Sequence, residues 1–517
     1  MRSISASPRL ALSSLRDAAL AAACAGALAA CEPAGPAPGG APSARPAPSA
    51  ATAPPVLVTV LYTADENGWL LRADDGGKPA GGAAELLGAW IANEKHCTGG
   101  PGTAKPCSAP STIALSGGDS YTGPAVSTLF LGEPMAEVMG KIGYAAAALG
   151  NHDLDFGRTQ LVKNRKLAKL DHVGANVKIT APEMSDLQMP AFVMVERKGV
   201  KVGVIGLSSE VTATRSMADR FHGIEFGAPE EALSRAVPEA WKAGADALVV
   251  IAHECPDKLA PIFAKHADWK VSFVGGANCH KSFEDRSTGA IMIAPSGKLR
   301  QYARAELTID RQKPQGERVI AVAAKAVDVA GAAPDPTLAA AVAEWKKKLD
   351  AALGETIGHT EKGLDQKADA GRWVATSWVD KLKVDVALVN AKGIAQSVPV
   401  GPITKATVYS VMPYDNSLMV VEVTGADLVK SLDNPEAVYV GAKKDGKSYK
   451  VGGKALDPAA KYKVATVEYL YFGGDGFEFQ KQDPAPKETG MDWRTPVIEW
   501  SMEQKSTKAD PIEKKLR

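Results

Sequence analysis

The sequence has no excess of charge of either sign. Among 517 residues, 60 Lys and Arg stand against 59 Asp and Glu, for a net charge of +1. The chain therefore lacks a global field that would attract a nucleic acid polymer or an anionic membrane, and any electrostatic recognition must be local. An apolar content of 45% and a charged content of 23% are typical of a soluble globular protein. The length predicts two or three domains, of which two are large.

The N-terminus also lacks an apolar run of transmembrane length. Three arginines precede an Ala/Leu-rich run at 18–30, which is too short to span a bilayer and is typical of a signal peptide. We predict a signal peptide at 1–30. Its last residues, Leu-Ala-Ala before Cys31, resemble a bacterial lipobox, so Cys31 would be the lipidated first residue of the mature chain. An ordinary secretory signal remains the alternative, and both predict export. Glu32 favours the outer membrane over the inner membrane by resemblance.

Residues 31–55 are rich in Pro, Ala, Gly and Ser, a composition that cannot bury enough apolar surface to fold, so we predict an extended tether.

Cysteine is scarce, because only six are present. Of these, Cys24 lies in the predicted signal peptide and Cys31 is the predicted lipidation site. Cys97 and Cys107 flank a Pro/Gly/Lys loop, which predicts a local disulfide in an oxidising compartment.

From Val56 the chain alternates short β-branched runs with helical stretches, which predicts an α/β layered domain. Predicted strands lie at 56–62, 112–115, 202–207, 247–252, 271–274 and 291–294, and in a second α/β unit at 384–389, 418–423 and 462–466. An amphipathic helix predicted at 336–353 would connect the two units. We therefore expect one domain at 56–330, a linker helix at 331–357 and a second domain at 358–517.

Polar residues follow several of these strands, where sites of α/β proteins cluster. They comprise Asp65 with Asn67, then Asp119, Asn151 with His152, His253, and Asn278 with His280. Each is weak evidence by itself, since Gly-Gly-Asp is usually a turn and a lone His is usually structural. Together they form the mixed carboxylate, imidazole and amide set that a dinuclear metal centre for phosphoester chemistry requires.

This series resembles the calcineurin-like metallophosphoesterases, and specifically the bacterial 5′-nucleotidase family, from about Val56 to Phe479. The resemblance implies a four-layer α/β/β/α metallophosphoesterase domain, followed by a smaller α/β 5′-nucleotidase C-terminal domain that recognises the substrate. It also implies two divalent metal ions, Mn, Mg or Zn. One ion would be held by Asp65, Asn67, Asp119 and His280, and the other by Asp119, Asn151, His253 and Asn278.

By the same resemblance His152 is the catalytic histidine, which gives a proton or hydrogen bond to the reacting phosphate. Asp155 is its orienting partner, and a carboxylate there favours the protonated imidazole.

Two positions depart from the family pattern, because Asn67 and Asn278 stand where the family has histidine. An amide oxygen is a weaker donor than imidazole, so both metal positions should favour Mn²⁺ or Mg²⁺ over zinc. A catalytically impaired, ligand-binding lipoprotein is the alternative. Cys255 and Cys279 lie on two of the ligand loops, and we favour a disulfide between them over thiolate ligation of a metal.

In the second domain, the segment at 413–416 resembles the family's Pro-Phe-Gly-Asn, which makes Tyr414 the first base-stacking residue. Phe477, after Gly-Gly-Asp-Gly, would be the second, with the base held between the two rings. The loop Asn390-Ala391-Lys392 resembles the family's anion-binding loop, but Ala395 stands where an arginine is expected. Asn390 and Lys392 remain substrate-binding candidates, although a lysine cannot reproduce a bidentate guanidinium.

Three functions follow. The first is an exported phosphoric monoester hydrolase, related to 5′-nucleotidases and 2′,3′-cyclic phosphodiesterases, acting on a nucleotide or another aromatic-bearing phosphate ester. The second is the ligand-binding lipoprotein, and the third is a hydrolase of another anion, such as a thiosulfohydrolase. The first would be a monomeric periplasmic or cell-surface lipoprotein that does not bind nucleic acid polymers.

Overall fold

The computed structural model describes residues 54–75, 78–97, 103–214, 218–279, 281–412, 416–446 and 448–517. The predicted signal peptide, Cys31 and residues 31–53 of the tether lie outside these ranges, as do His280 and Tyr414. Residues Ala53–Arg517 form one unit. Among the described helices, none combines the length and the hydropathy that crossing a bilayer requires.

The first part of the chain contains sixteen strands among its described residues. They are β1 (Val56–Thr63), β2 (Ala73–Asp75), β3 (Lys78–Ala80), β4 (Thr112–Ser116), β5 (Tyr144–Ala148), β6 (Asp171–Val173), β7 (Val177–Ile179), β8 (Phe192–Arg197), β9 (Val200–Ser208), β10 (Ile224–Phe226), β11 (Ala247–His253), β12 (Val271–Gly275), β13 (Phe283–Asp285), β14 (Ile291–Ala294), β15 (Gln301–Ile309) and β16 (Val319–Asp328). Its helices are α1 (Ala83–Glu94), α2 (Ala125–Thr128), α3 (Glu133–Ile142), α4 (Arg158–Ala168), α5 (Pro229–Lys242), α6 (Pro256–Lys265) and α7 (Pro336–Leu353).

Two six-stranded sheets pack against each other in this part. The first has the order β16-β15-β1-β4-β5-β6, and the second has the order β13-β14-β12-β11-β9-β8. Residues such as Val60, Leu115 and Val249 fill the space between the sheets. Helices α1, α3, α4 and α7 cover the outer face of the first sheet, and α5 and α6 cover that of the second. The expected α/β/β/α layering is confirmed.

Strand β1 shows why these segments form buried strands. Six consecutive residues, Val58 to Thr63, are buried, because one face meets the helices and the other meets the second sheet. Helix α7 begins where expected, since Asp335 accepts a hydrogen bond from the backbone N–H of Leu338 and Pro336 occupies the first turn.

The second part has ten strands and six helices among its described residues. The strands are β17 (Thr356–Thr360), β18 (Val386–Asn390), β19 (Gly401–Thr404), β20 (Ser417–Thr424), β21 (Ala437–Val440), β22 (Ala442–Asp445), β23 (Ser448–Val451), β24 (Lys454–Ala455), β25 (Lys461–Val467) and β26 (Lys487–Asp492). The helices are α8 (Gly371–Leu382), α9 (Lys405–Val411), α10 (Gly425–Leu432), α11 (Glu468–Tyr471), α12 (Phe479–Gln482) and α13 (Thr495–Gln504). Shorter helical turns across the chain lie at Pro182–Leu187, Thr212–Thr214, Ala218–Phe221, Ala267–Trp269, Gln366–Ala370, Ala391–Gly393, Gly474–Gly476 and Ile512–Lys515.

A five-stranded sheet of order β21-β18-β25-β20-β26 organises this second part. Its core contains four buried tryptophans, at 373, 378, 493 and 500. Neighbouring strands of the sheet are antiparallel, except for β18 and β25, which are parallel. The second part has a hydrophobic core of its own, as expected for the smaller α/β unit.

Candidate metal centre and cleft

The expected metal donors lie at the carboxyl ends of parallel strands. Asp65 follows β1, Asp119 follows β4, and Asn151 follows β5 in the first sheet. His253 is the last residue of β11, and Asn278 follows β12 in the second sheet. Because the two sheets pack face to face, these strand ends converge on one site.

Three of the donors approach one another closely. Asp65, Asp119 and His253 each offer an atom within 4.8 Å of the others, and all three are buried. The Nε2 atom of His253 lies 3.3 Å from Oδ2 of Asp119 and 3.1 Å from Oδ1 of Asn151. Its Nδ1 lies 2.9 Å from the carbonyl oxygen of Gly117. A Nδ1–H donor to this carbonyl leaves the Nε2 lone pair directed at the oxygen donors, as a metal ligand requires.

The electrostatics of these donors fit a cation. Burial by itself lowers the pKa of His253, but the carboxylates of Asp119 and Asp65 raise it to about 10. For Asp119, burial opposes ionisation, while His253 and His152 together lower its pKa. Positive charge is therefore strongly favoured at this point, and a bound divalent ion would supply it in place of the imidazolium proton.

The backbone is unusual at four of the expected ligands. Asp65, Asn67, Asp119 and Asn278 have φ values of 49°, 45°, 56° and 62°. For residues other than glycine, this left-handed region costs about 1–2 kcal/mol, although Asp and Asn tolerate it best. Such outliers cluster where function requires a fixed side-chain direction, and here they turn four side chains into one site.

The two unexpected amides also lie at the site. The side-chain N–H of Asn67 donates to the carbonyl oxygen of Asp65 over 3.2 Å, and the backbone N–H of Asn278 donates to the Asp65 carboxylate over 3.0 Å. Among the described residues, Nδ2 of Asn278 is buried without a hydrogen-bond partner. The nitrogen and oxygen of an amide can be interchanged by rotation, so this side chain fits a ligand to a cation. His280, the remaining expected ligand, lies outside the described residues.

His152 and Asp155 form the expected pair. Nδ1 of His152 lies 2.9 Å from Oδ2 of Asp155, and the backbone N–H of His152 donates to Oδ1 of Asp119 over 2.7 Å. Burial by itself lowers the pKa of His152, but Asp155 and Asp119 raise it well above its usual value, with a further contribution from Glu468. The imidazole is therefore held protonated beside the metal donors.

Two buried carboxylates next to the motifs were missed from the sequence. Asp153 accepts backbone hydrogen bonds from Asp119, Ser120 and Gly150 over 3.1, 2.8 and 2.8 Å. Burial and the charge of Asp119 raise its pKa to about 6. Asp153 therefore holds the turn at Asp119 against the turn at His152. The signal was its place directly after Asn151 and His152 in the sequence.

Glu66 lies between the expected ligands Asp65 and Asn67 and is fully buried. Its carboxylate accepts hydrogen bonds from the hydroxyls of Thr63, Ser116 and Ser120, and burial raises its pKa to about 7. It joins the ends of β1 and β4.

Both disulfides expected from the sequence are confirmed. Cys97 pairs with Cys107 at a Cα separation of 5.7 Å, and Cys255 pairs with Cys279 at 5.2 Å. The second disulfide links the loop after His253 to the loop that carries Asn278.

A cleft of about 460 Å³ opens beside His152. One wall carries Asn67, His152 and Asp155, next to the expected metal donors. The other wall carries Glu468 and Asp492 of the second part. The site is thus accessible from a space that both parts of the chain line.

In the second part, Asn390 and Lys392 converge on Asp475. Asn390 donates to Oδ2 of Asp475 over 2.7 Å, and Nζ of Lys392 lies 3.5 Å from its Oδ1. Tyr469, which the sequence analysis did not select, also donates to Oδ1 over 3.5 Å and is 49% exposed. The only sequence signal for Tyr469 was its position four residues before the Gly-Gly-Asp-Gly segment that contains Asp475.

Phe477, two residues after Asp475, is buried. It is 4% exposed and stacks on Phe479 with ring centroids 5.6 Å apart. Tyr414, its expected partner in holding a base, lies outside the described residues. The stacking role of both residues stays a prediction, and Tyr469 is an exposed aromatic residue that contacts Asp475.

Known proteins resemble the chain over most of its length. Residues 356–482 match the family model described as "5'-nucleotidase, C-terminal domain". Protein UshA of Escherichia coli K12 is 25% identical over 501 residues, covering 84% of this chain and 88% of that protein. The structure of a 5′-nucleotidase precursor from Thermus thermophilus covers 87% of this chain and 97% of its own length, with a TM-score of 0.58 and 21% identity.

A putative 5′-nucleotidase from Staphylococcus aureus superposes with a TM-score of 0.64 at 15% identity, covering 86% of this chain and 96% of that one. At such identities the solved structures support the fold alone.

Proposed function

We propose that this chain, which belongs to the bacterial 5′-nucleotidase family, is an exported, metal-dependent phosphoric monoester hydrolase. Its substrate would be a nucleotide or a related phosphate ester that carries an aromatic group. The observation that carries the proposal is the convergence of Asp65, Asp119 and His253 next to the His152–Asp155 pair.

The donor set suits two divalent ions that share Asp119. Asp65, Asn67, Asp119 and His280 would hold one, and Asp119, Asn151, His253 and Asn278 the other. When bound, the ions would polarise the ester and supply the nucleophilic water. With two amides in place of imidazoles, Mn²⁺ or Mg²⁺ should be preferred over Zn²⁺.

His152 would act on the phosphate itself. Asp155 raises the pKa of His152, so the imidazole can donate a hydrogen bond to a phosphate oxygen as negative charge develops, or a proton to the leaving oxygen. Asp155 fixes the orientation of the ring through Nδ1, which leaves Nε2 as the donor to the substrate.

Substrate recognition would fall to the second part of the chain. Asn390 and Asp475 offer hydrogen bonds, and Tyr469 offers an exposed ring beside them. Tyr469 could therefore stack on a base, with Tyr414 and Phe477 as the residues that the family resemblance suggests. Stacking on an aromatic ring contributes about 1–3 kcal/mol per base and tolerates different bases.

Export is supported by the two disulfides, which form in oxidising compartments. We infer a signal peptide at 1–30, lipidation at Cys31 and a tether at 31–55. The catalytic domain would span 56–330 and the recognition domain 358–517, with a linker at 331–357. The protein would be a monomeric lipoprotein of the periplasm or cell surface, with the outer membrane favoured.

The test is a phosphate-release assay on the purified protein with Mn²⁺, Mg²⁺, Co²⁺ or Zn²⁺, using nucleotides and an aryl phosphate. Asp119→Asn should abolish metal-dependent turnover, while Asp186→Asn, a surface control, should retain it. If the wild-type protein releases phosphate from no substrate with any of these metals, the hydrolase proposal is wrong. Ligand-induced stabilisation that persists without metal would then support the ligand-binding alternative.

A further inference from the structure

The wall of the cleft that belongs to the first part of the chain carries apolar side chains beside the expected metal donors. Trp69, Leu131 and Phe156 line it together with Asn67 and His152. Ligand pockets combine such apolar walls with a few polar groups that fix the orientation of the ligand. The chemical group bonded to a phosphate at His152 would therefore meet an apolar surface.

Leu131 combines an unfavourable backbone with an exposed side chain. Its φ of 53° lies in the left-handed region, which is costly for a bulky residue, and the residue is 46% exposed. The two preceding residues, Leu129 and Phe130, pack against the hydrophobic core, whereas Leu131 lines the cleft. Asparagine would adopt this backbone at less cost, so the fold by itself does not explain a leucine here.

Trp69 belongs to the loop of the expected ligands Asp65 and Asn67. Its backbone N–H donates to the carbonyl oxygen of Glu66 over 2.9 Å, which closes the turn. The ammonium of Lys298 lies 4.8 Å from the ring centroid of Trp69, a cation–π contact that holds the ring in place. The indole is therefore kept close to the point where the phosphate would bind.

Trp69 and Leu131 lie on adjoining loops. A Cβ atom added to Gly68 would stand 2.5 Å from Cβ of Ser127, so the loop that carries Trp69 touches the segment before Leu131. The carbonyl oxygen of the same Ser127 accepts a hydrogen bond from the backbone N–H of Gly132 over 3.0 Å. The two apolar side chains are thus fixed relative to each other by short backbone contacts.

Charges of both signs line the same cleft. The charged side chains in its lining are Arg220, Lys298, His152, Asp155, Glu468 and Asp492. Three of them are cationic when His152 is protonated and three are anionic. Charge by itself therefore does not select the group attached to the phosphate, whereas the apolar wall favours an apolar one.

We propose that Trp69 and Leu131 bind the aromatic part of the ester directly next to the phosphate, on the first part of the chain. The inference rests on the proposed hydrolase function and narrows its preferred substrates to esters whose aromatic group is bonded close to phosphorus, such as aryl phosphates. A nucleotide would place its ribose against this wall, because the sugar separates the base from the phosphate, and would gain less from it.

The test compares Leu131→Asn with wild type on phenyl phosphate and on glycerol phosphate, which has no aromatic group. For phenyl phosphate, KM should rise about tenfold, with kcat within about twofold. The KM for glycerol phosphate should change by less than about twofold. The Tm should rise by about 2–4 °C, because asparagine tolerates the left-handed backbone. A fall in Tm, equal KM changes for both substrates, or no change for phenyl phosphate would overturn the inference.

Two matched controls separate the side chain from the backbone strain. Lys198→Asn relieves a left-handed residue with φ of 51° between β8 and β9, at the end of the second sheet opposite to the metal donors, and should leave both KM values unchanged. Leu57→Asn removes a leucine that is 41% exposed near the start of β1 and should also leave them unchanged.

Calorimetric binding of phenylphosphonate and methylphosphonate to the Mn²⁺-loaded protein separates this inference from the proposed function. Wild type should bind phenylphosphonate about tenfold more tightly, and both Leu131→Asn and Trp69→Leu should bring the two affinities within about threefold. This preference without any hydrolysis would reject only the proposed function. Equal binding of both phosphonates by wild type, or binding of neither, overturns the inference even if the protein hydrolyses phosphate esters.

Discussion

The candidate metal centre and the Asp475 group are built in different ways. Asp65, Asp119 and His253 are buried at strand ends, and backbone hydrogen bonds to Asp153 and a disulfide hold the surrounding loops. The Asp475 group consists of loop side chains around one carboxylate, and it includes an exposed tyrosine. A residue of the first group is constrained from several directions, whereas one of the second can change with little effect on the fold. The chemistry should therefore be more sensitive to substitution than the choice of substrate.

The largest effect is expected at the His152–Asp155 pair, which we propose to be catalytic. His152→Ala should lower kcat by about 10²–10⁴-fold, because the protonated imidazole beside the phosphate is lost, and Asp155→Asn should cause a smaller loss by releasing the ring. The measurement is steady-state kinetics with the metal that supports turnover. His222→Ala, at an exposed position, is the control. If kcat survives in His152→Ala, the histidine has no catalytic role.

The next effect concerns the disulfide between the ligand loops. Cys255→Ser with Cys279→Ser should weaken metal binding by about 10–100-fold, the range seen when support for metal ligands is removed. Cys97→Ser with Cys107→Ser provides the control, since that disulfide joins no expected ligand loops. Metal titration against a competing chelator measures both. Similar affinities in the two double variants would show that the Cys255–Cys279 link does not support the site.

A smaller effect distinguishes the aromatic residues of the second part. Tyr469→Ala should raise KM for nucleotides by about tenfold, since a base stack is worth roughly 1–3 kcal/mol, with stability unchanged. Phe477→Ala should instead lower the free energy of unfolding by about 3–5 kcal/mol, as for other buried phenylalanines. Kinetics combined with urea unfolding separates these outcomes. A rise in KM for Phe477→Ala without loss of stability would favour the stacking role expected from the sequence.

The smallest effect concerns acid sensitivity near the metal centre. Burial, followed by the charge of Arg165, lowers the pKa of His172 to about 3, and its two ring nitrogens have no hydrogen-bond partner among the described residues. The unfolded chain binds a proton near pH 6.5 and the folded chain does not, so stability is lost as the pH falls from 6.5 toward 3. The loss is at most about 1.4 kcal/mol per pH unit.

His172→Leu should therefore reduce the difference in unfolding free energy between pH 7.5 and 5.5 by about 1 kcal/mol. Urea unfolding of wild type and of His172→Leu at the two pH values measures it. An unchanged pH dependence in His172→Leu would contradict the prediction.

Much of the fold could be predicted from the sequence because its signals are local. The β-branched runs predicted strands at 112–115 and 247–252, and the structure has β4 at Thr112–Ser116 and β11 at Ala247–His253. The helix predicted at 336–353 is α7 (Pro336–Leu353). Periodicity and capping residues fix such elements without reference to the rest of the chain.

The residues missed were those whose importance depends on contacts that are distant in sequence. Glu66 gains its role from hydrogen bonds with Ser116 and Ser120. An aromatic residue before or after a glycine-rich turn looks the same in sequence, so only burial distinguishes Phe477 from Tyr469.

The sequence by itself determined the class of protein. It contains the order of polar residues after successive strands, the two departures at Asn67 and Asn278, and the pairs of cysteines. Residue type and spacing carry that information, because metal ligands and strand ends need particular side chains. The tertiary structure decided which charges are compensated and which rings are covered. Packing pairs Lys392 with two carboxylates, and it covers Phe477 while it exposes Tyr469, because charge compensation and burial depend on neighbours that only the fold brings together.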